Sequence, residues 1–459
     1  MTPKTALSTG TGLDEWLTGV DRRTARIGII GLGYVGLPLT LLFSEERFRV
    51  TGFDIDASKV ASLNQGQSYI HRIETEHIRA AQRSGFRATS EFSEIADMDA
   101  VLICVPTPLN PDHTPDMSYV VSTIESIAPY LRAGQLVVLE STTYPGTTEE
   151  IIVATINRHG EKKGLKVLRN QPGEAAYELD GVMVAFSPER EDPGNLVTPR
   201  RDIPKVIGGV DERATAAASA LYGRVFRKTV PVSTPAAAEM TKLLENIYRC
   251  VNIALVNELK QLCDPMGIDI WEVIEAAATK PFGFQAFYPG PGVGGHCIPV
   301  DPFYLNWKAQ QFGIQAKFIE LAGEVNEAMP EYVVQSTARA LKRNGGALSG
   351  AKVLVLGVAY KRDVDDLRES PSLVVIEKLR KAGAQVEYND PFFAEVGRGR
   401  HYDLRMRSVP VENLDRFDCV LILTDHSLYN YSEIVEQARL VIDTRNATQS
   451  IDSPKIVRC

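Results

Sequence analysis

Short apolar runs separated by helical patterns cover the first half of the chain. Continuous apolar stretches predict buried strands at 26–30, 48–53, 100–105, 136–140 and 182–186. Helical apolar spacing separates these runs, an alternation typical of an open α/β sheet with helices on its faces. Most of the runs end in hydroxyl side chains, prolines or acids, at the sheet edge where such folds place ligands.

The pattern changes to long helices beyond residue 234. Residues 235–266 predict one helix of more than thirty residues, on which Lys242, Asn246 and Arg249 follow at i, i+4 and i+7. Such a stripe is either a solvated face or the polar side of a helix that lines a site.

A second α/β pattern follows a linking helix at 319–344. Its predicted elements are strands 352–356, 385–388, 419–423 and 440–443, with a helix at 373–382. The predicted fold class is therefore α/β, with two Rossmann-like doubly wound domains joined by a central helical domain with one long helix. We expect an N-terminal tail at 1–24, a first α/β domain at 25–214, a central helical domain at 215–330 and a second α/β domain at 331–459.

Composition narrows the possible partners. The 459 residues are 24% charged and 44% hydrophobic, as in an ordinary globular protein. A net charge of −8 argues against nucleic acid or an anionic membrane as partner. The six cysteines are scattered without metal-ligand spacing, so we expect no metal site and a reducing cytoplasmic location. No apolar run is long enough for a membrane helix.

A GxGxxG motif closes the first predicted strand. Gly31, Gly33 and Gly36 open a helix, and Asp54 ends the next strand 23 residues after Gly31. These glycines suit a tight turn under a pyrophosphate, and the acid suits a ribose hydroxyl, which favours NAD over NADP. The alternative is a glycine turn with an incidental acid. Further cofactor candidates around this motif are Tyr34, Val35 and Lys59.

A glycine-rich loop at 290–302 carries one thiol, Cys297. Asp301 followed by Pro302 predicts an N-cap and a helix start, so the thiol would lie near the positive end of a helix dipole. That environment favours the thiolate needed by a cysteine nucleophile. The alternative is a small, buried, inert side chain.

Together these motifs resemble the UDP-sugar 6-dehydrogenases, which oxidise C6 of a nucleotide sugar to a uronic acid. The resemblance covers 27–446. The motifs that carry it are GLGYVGLPL at 31–39, ESTTYPGTT at 140–148, SPER at 187–190, the Lys242–Asn246 pair, GVGGHCIPVDPFYL at 292–305 and AYKRDVDDLRES at 359–370.

The resemblance implies a four-electron oxidation that uses two NAD molecules in turn. Cys297 would add to the aldehyde, and the thiohemiacetal would become a thioester that water cleaves. Lys242 and Asn246 would hold the C6 oxygen, and Asp301 would assist proton transfer, although an N-cap role for Asp301 stays open. Glu189 with Thr142 would position the hydrolytic water.

The resemblance also makes 25–214 the NAD-binding domain, 215–330 the central helical domain for dimerisation and catalysis, and 331–459 the UDP-sugar-binding domain. For NAD it adds Thr107, Thr142 and Arg368, the last reaching the pyrophosphate. For the UDP sugar it implies Glu189, Lys242, Asn246, Arg249, Phe287, Tyr288, Gly292, Gly294, Lys361 and Arg445. It also makes the long central helix a dimerisation element, so we expect at least a homodimer.

Within the family, the loop at 280–292 resembles the enzymes that act on UDP-N-acetylglucosamine. UDP-glucose and UDP-N-acetylmannosamine remain alternatives. Two other classes stay open: a single-step 3-hydroxyacid-type dehydrogenase, which needs no Cys297, and a catalytically silent nucleotide-sugar-binding protein.

Overall fold

The computed structural model describes residues 12–70, 72–169, 179–191, 198–295, 298, 300–399 and 402–459. The chain divides into two compact units, residues 1–244 and 245–459, and each is described by itself.

The first unit is built on an eight-stranded sheet within its described residues. The strands are β1 Arg26–Ile30, β2 Arg49–Phe53, β3 Arg87–Thr89, β4 Ala100–Ile103, β5 Leu136–Leu139, β6 Met183–Phe186, β7 Lys205–Gly209 and β8 Thr229–Val232. Their order is β3-β2-β1-β4-β5-β6-β7-β8, and only the β6–β7 pair is antiparallel. Both faces of the sheet carry packed apolar side chains, which explains the continuous apolar runs.

Helices cover both faces of this sheet. They are α1 Gly12–Asp21, α2 Gly36–Glu45, α3 Ala57–Asn64, α4 Thr75–Arg83, α5 Ser118–Ile127, α6 Ala154–Gly160 and α7 Glu212–Tyr222. Since α7 runs across residue 214 and the sheet continues to Val232, we propose placing the first domain boundary after β8.

The long helix α8 spans Pro235–Met266, the bounds that the sequence predicts. The second unit continues with α9 Ile270–Ala278, α10 Asp301–Gln310, α11 Lys317–Arg343, α12 Pro371–Lys381 and α13 Tyr431–Gln437. No described helix is both long and apolar enough to span a membrane.

The second unit contains a parallel sheet of five described strands, in the order β10-β9-β13-β14-β15. Its strands, with a separate antiparallel hairpin β11–β12, are β9 Lys352–Leu356, β10 Gln385–Asn389, β11 Glu395–Arg398, β12 Asp403–Arg407, β13 Cys419–Ile422, β14 Val441–Asp443 and β15 Ile456–Arg458. The α/β prediction, with two largely parallel sheets and a helical segment between them in sequence, is confirmed. The hairpin and β15 were not predicted, because their strands are short and mostly polar or half-exposed.

Candidate active site

The glycine turn between β1 and α2 leaves no room for side chains at two of its positions. Gly31 has φ +88°, and a Cβ atom there would lie 2.7 Å from the Cys104 carbonyl oxygen. A Cβ at Gly36 would collide with the Gly31 carbonyl, whereas the space at Gly33 is open within 4 Å. The backbone therefore comes close to β4 beneath the turn and stays uncovered at Gly33, as a pyrophosphate site requires.

Asp54 lies directly after β2 and ties the turn to that strand. Its Oδ2 accepts a hydrogen bond from the Leu32 N–H at 2.9 Å, and its Oδ1 accepts one from the Asp56 N–H at 2.9 Å. Lys59 Nζ is 3.8 Å from Oδ2. Within the turn, the side chain of Tyr34 is half exposed. Each carboxylate oxygen retains an acceptor position, so the arrangement fits the ribose of a dinucleotide.

The strand ends on the other side of β1 bring Thr107 and Thr142 together. The Thr107 hydroxyl donates to the Thr142 carbonyl at 2.8 Å. The segment at 146–148 is held by Glu239, a buried acid of α8. Glu239 accepts hydrogen bonds from the Gly146 N–H at 2.6 Å and from the Thr148 N–H and hydroxyl at 2.9 and 2.6 Å. The 142–148 segment is thus fixed to the first turns of α8, three residues before Lys242.

Glu189 follows β6 and presents one buried oxygen without a hydrogen-bond partner in the described structure. Its Oε1 accepts from the N–H groups of Arg190 and Glu191, both at 2.8 Å, while Oε2 has no partner. Burial alone would raise the pKa of Glu189, but Lys205 and Arg200 outweigh it, and the pKa lies below its ordinary value. Glu189 is therefore a carboxylate at neutral pH, ready to accept one more hydrogen bond.

Lys205 of β7 is the buried cation behind this carboxylate. Its Nζ donates to Glu140 Oε2 at 2.5 Å and to the Pro188 carbonyl at 3.0 Å. The Lys205 and Glu140 side chains are 3% and 0% exposed. Tyr222 donates its hydroxyl to the other oxygen of Glu140. Lys205 thus positions the residue before Glu189 and also supplies the positive charge that keeps Glu189 ionised.

The polar stripe of α8 is mixed in its exposure. Lys242 and Asn246 are 6% and 5% exposed, whereas Arg249 is exposed. A solvated face is therefore excluded for the first two residues. In the second unit, Asn246 donates its amide N–H to the Asp301 carboxylate.

The expectation that Asp301 caps α10 is wrong by one position. The helix begins at Asp301 itself, with Val300 before it and no side-chain cap at that residue. The buried Asp301 side chain bonds Asn246 instead, because the first helical turn points its carboxylate at α8. This contact places the amide of Asn246 and the carboxylate of Asp301 together.

The glycine-rich loop packs on the C-terminal Rossmann-like domain. The Gly290 N–H donates to Asn257 of α8 at 3.0 Å, and the Gly295 N–H donates to the Arg368 carbonyl at 3.0 Å. A Cβ at Gly294 would lie 2.8 Å from the Glu369 carbonyl oxygen. Cys297, with His296 and Pro299, lies outside the described residues, so its role stays a prediction.

Two cations predicted for the UDP sugar and NAD have protein partners. Arg445 donates Nε–H to the Leu423 carbonyl at 2.9 Å, and a Cβ at Gly290 would lie 2.5 Å from its Nη1. Arg368 pairs with Asp366, Nη2 to Oδ2 at 2.7 Å, so its predicted reach to the NAD pyrophosphate is untested. Lys361 is half-buried in the loop after β9.

The aromatic part of the loop packs partly against α8 and α9. Phe287 meets Tyr248 edge to face at 5.7 Å between ring centroids, and Tyr288 stacks on Trp271 at 5.7 Å. Phe282 and Phe284 are exposed. Gly292 has φ +127°. The loop is therefore anchored by Phe287 and Tyr288 and exposed at Phe282 and Phe284.

Comparison with known proteins places this architecture in one family. The models of the UDP-glucose/GDP-mannose dehydrogenase family match in chain order: the NAD binding domain at residues 25–226, the central domain at 236–328 and the UDP binding domain at 354–450. An NDP-N-acetyl-D-galactosaminuronic acid dehydrogenase of Ralstonia solanacearum is 35% identical over 93% of this chain and 96% of its own. The chain belongs to the UDP-glucose/GDP-mannose dehydrogenase family.

Solved structures agree with this membership. A UDP-D-ManNAc dehydrogenase from Pyrococcus horikoshii has TM-score 0.78 and 33% identity, covering 94% of this chain and 96% of its own. A UDP-glucose dehydrogenase from Pyrobaculum islandicum has TM-score 0.80 and 28% identity, covering 95% and 97%. The enzyme is thus an NAD-dependent oxidoreductase of nucleotide sugars, and the predicted family, enzyme class and cofactor are confirmed.

Four buried residues that support the dehydrogenase site were missed in the sequence. Lys205, which is paired with Glu140, lowers the pKa of Glu189, while Asn257 donates its amide N–H to Asn326 at 2.9 Å and accepts from the loop's Gly290 N–H. Glu140 had a signal, since it is an acid directly after an apolar strand. The other three are polar residues in helical or strand patterns, and only their burial marks them.

Proposed function

We propose that the enzyme oxidises C6 of a UDP-N-acetylhexosamine to the carboxylate. The observation that carries this proposal is the ionised Glu189, whose buried Oε2 has no hydrogen-bond partner within the described part of the chain. A water molecule held by this oxygen would be positioned for hydrolysis. A single-step alcohol oxidation needs no such water, whereas cleavage of a thioester does.

The covalent chemistry belongs to Cys297. When bound, NAD would supply the hydride acceptor for each of the two oxidations, and two NAD would be used in turn. After the first oxidation, the Cys297 thiolate adds to the C6 aldehyde and forms a thiohemiacetal. Loss of the second hydride converts the thiohemiacetal into a thioester on the sulfur. Water then adds, the C–S bond breaks, and the uronic acid is released while the thiolate is restored.

Lys242 and Asn246 bind the C6 oxygen in this proposal. Both are buried, and they lie one helical turn apart on α8, so an ammonium and an amide can donate to one oxygen. The amide of Asn246 also bonds Asp301, which orients it and brings a carboxylate to the hydroxyl proton. Glu189 with Thr142 positions the water for the last step.

The remaining candidate contacts divide between the two ligands. For NAD we propose the glycine turn, Asp54, Lys59, Thr107 and Arg368. For the UDP sugar we propose Lys361, Arg445 and the loop at 287–294, with Arg249 as a sugar or subunit contact. We also propose a homodimer and a cytoplasmic location.

We propose the gluco epimer, UDP-N-acetylglucosamine, as substrate. The support is the resemblance of the loop at 280–292 to that of the enzymes acting on this sugar, and its exposed Phe282, Phe284 and Tyr288 could enclose the acetamido methyl group. Such a contact is worth ~1–3 kcal/mol. The manno epimer is a second candidate, favoured by the similarity to the Pyrococcus horikoshii UDP-D-ManNAc dehydrogenase.

The test is a side-by-side assay with UDP-N-acetylglucosamine, UDP-N-acetylmannosamine, UDP-N-acetylgalactosamine and UDP-glucose. We expect two NADH per sugar, and kcat/KM for the gluco N-acetyl sugar at least ~10-fold above that for UDP-glucose. One NADH per sugar would contradict the hydrolytic mechanism, and a preference for another epimer would reject the loop argument alone.

The same assay with NADP tests the role of Asp54. Its carboxylate should repel a 2′-phosphate and accept from the ribose hydroxyl, so NADP should support little turnover. Equal rates with NAD and NADP would show that Asp54 serves only the backbone groups it bonds in the turn.

A further inference from the structure

The two Rossmann-like domains share the same turn after their first strand. Gly357 follows β9 with φ +82°, as Gly31 follows β1 with φ +88°. A Cβ at Gly357 would collide with the Thr424 carbonyl after β13, just as one at Gly31 would meet the Cys104 carbonyl after β4. The turn of the second domain thus comes equally close to its neighbouring strand, although it lacks the GxGxxG motif.

An acid also follows the neighbouring strand in each domain. Asp390 comes directly after β10, as Asp54 comes after β2. Asp390 Oδ2 accepts hydrogen bonds from the Val358 and Ala359 N–H groups at 2.7 and 3.0 Å, the counterpart of the Leu32 bond to Asp54. By position, Asp390 is therefore the acid that would bind a ribose in a dinucleotide domain.

The two domains differ in that the acid of the second domain, Asp390, is hydrogen-bonded to a histidine, His426. The imidazole is 0% exposed, and its Nε2 is 3.1 Å from Asp390 Oδ2. Its Nδ1 accepts a hydrogen bond from the Asp363 N–H at 3.0 Å. Since Nδ1 accepts, Nε2 carries the proton and donates it to Asp390, so a neutral imidazole satisfies both contacts.

We propose that His426 is a positioning residue for UDP binding. It occupies on Asp390 the place that a ribose takes in a dinucleotide domain. It thereby fixes the loop at 358–363, which carries Lys361, whereas Arg368 is held separately by Asp366. This inference rests on the proposed function only in taking Lys361 as a UDP contact.

Other hydrogen bonds show that the 358–363 loop is held by the segment around His426. The Ser427 N–H donates to Asp363 Oδ1 at 2.8 Å, and the Thr424 hydroxyl donates to the Ala359 carbonyl at 2.6 Å. Ala359 and Asp363 lie two residues before and two residues after Lys361, so the loop is held on both sides of the lysine. The imidazole of His426 contacts both the loop, through the Asp363 N–H, and Asp390, the acid after β10.

The test compares UDP binding by calorimetry with the kinetics of the full enzyme. In His426→Ala, the Kd for UDP and the KM for the UDP sugar should rise about 10-fold, as expected for a lost charge-assisted hydrogen bond. The KM for NAD should stay within about twofold, and kcat at saturation should change less than KM. His426→Gln keeps a donor for Asp390 and should recover part of the UDP affinity.

Tyr429→Phe is the matched control. Tyr429 packs edge-on against His426 at 5.8 Å and donates its hydroxyl to the Asn389 carbonyl at 2.9 Å, so the substitution loosens the same cluster but spares the imidazole bonds. UDP affinity should stay within about twofold of wild type. A folded His426→Ala enzyme with wild-type UDP affinity would overturn the proposal, and so would equal losses for UDP and NAD.

If His426→Ala does not fold, His426→Gln and His426→Asn decide the matter. The first keeps the donor toward Asp390 and the second keeps an acceptor toward Asp363, so each should bind UDP more weakly than wild type. Wild-type UDP affinity in both would overturn the proposal. A failure of the proposed function would show separately, because the wild-type enzyme would then oxidise no UDP sugar.

Discussion

The ionisation of Glu189 depends on a residue that never touches its carboxylate. Lys205 holds the Pro188 carbonyl and lowers the Glu189 pKa, against the burial that raises it. Burial also raises the pKa of Glu140, which the same lysine partly offsets. A single buried ammonium therefore serves a structural acid and a proposed catalytic one.

We expect Lys205→Met to move the acid limb of kcat to higher pH. Without the cation, burial raises the Glu189 pKa, so the carboxylate is protonated at pH values where the wild type keeps it ionised. Stability should also fall by ~3–5 kcal/mol, because Glu140 is left buried and unpaired.

The double variant Lys205→Met/Glu140→Gln separates these two effects. It removes the unpaired charge and should recover much of the stability, measured by denaturant unfolding, but the shifted acid limb should remain. A wild-type pH profile in the folded double variant would contradict the role given to Lys205.

Cys297→Ser tests the covalent mechanism. The variant should bind both ligands but lose net turnover by ~10³-fold or more, since a serine hydroxyl is a far weaker nucleophile at neutral pH. The aldehyde, or an ester on the new serine, should be detected with a carbonyl reagent or as added protein mass. Near-wild-type uronic acid production by the folded variant would remove the mechanism.

Among the elements, the glycine-rich loop depends on close contacts with its neighbours. Gly290 leaves space for Arg445, and Gly294 leaves space for the Glu369 carbonyl. Asn257 holds the Gly290 N–H with its amide oxygen, while its amide nitrogen donates to Asn326 of α11. The loop is therefore positioned by α8, α11 and the C-terminal domain together.

Gly290→Ala should weaken UDP-sugar binding selectively. The new Cβ would lie 2.5 Å from Arg445 Nη1, so the guanidinium must move from the place where it bonds the Leu423 carbonyl. The KM for the UDP sugar should rise about 10-fold, with the KM for NAD unchanged. Gly323→Ala in α11 is the control, because its Cβ meets Phe303 at an ordinary 3.6 Å. Equal KM values for wild type and Gly290→Ala would contradict the role of Arg445.

At the scale of the whole molecule, α8 presents apolar side chains that nothing in the described chain covers fully. The exposed ones are Leu244, Tyr248, Leu255, Leu262 and Met266, with exposed fractions of 48–61%. Apolar exposure repeated along one helix is typical of an association surface. It supports the proposed dimer, in which a second copy of this chain covers the helix.

Leu255→Asp combined with Leu262→Asp should produce a monomer. Two carboxylates within an apolar interface would remain desolvated and unpaired, so the dimer Kd should rise by ~10²-fold or more. Light scattering and sedimentation would measure the mass. Val374→Asp places a charge on an exposed apolar position of α12 and should leave the mass unchanged. A double variant with wild-type mass would exclude this face.

Local patterns determine much of this protein. Apolar runs and the glycine motif are properties of neighbouring residues, so they predicted most of the strands, α8, the NAD turn and the family. The tertiary structure decided the contacts between distant positions. Asp301 bonds Asn246 rather than capping α10, and Lys205 lies 16 residues after Glu189 yet sets its charge state. His426 bonds Asp390 from 36 residues away. Such pairs leave no local signal because burial and partner choice arise only when the strand ends meet at one edge of a sheet.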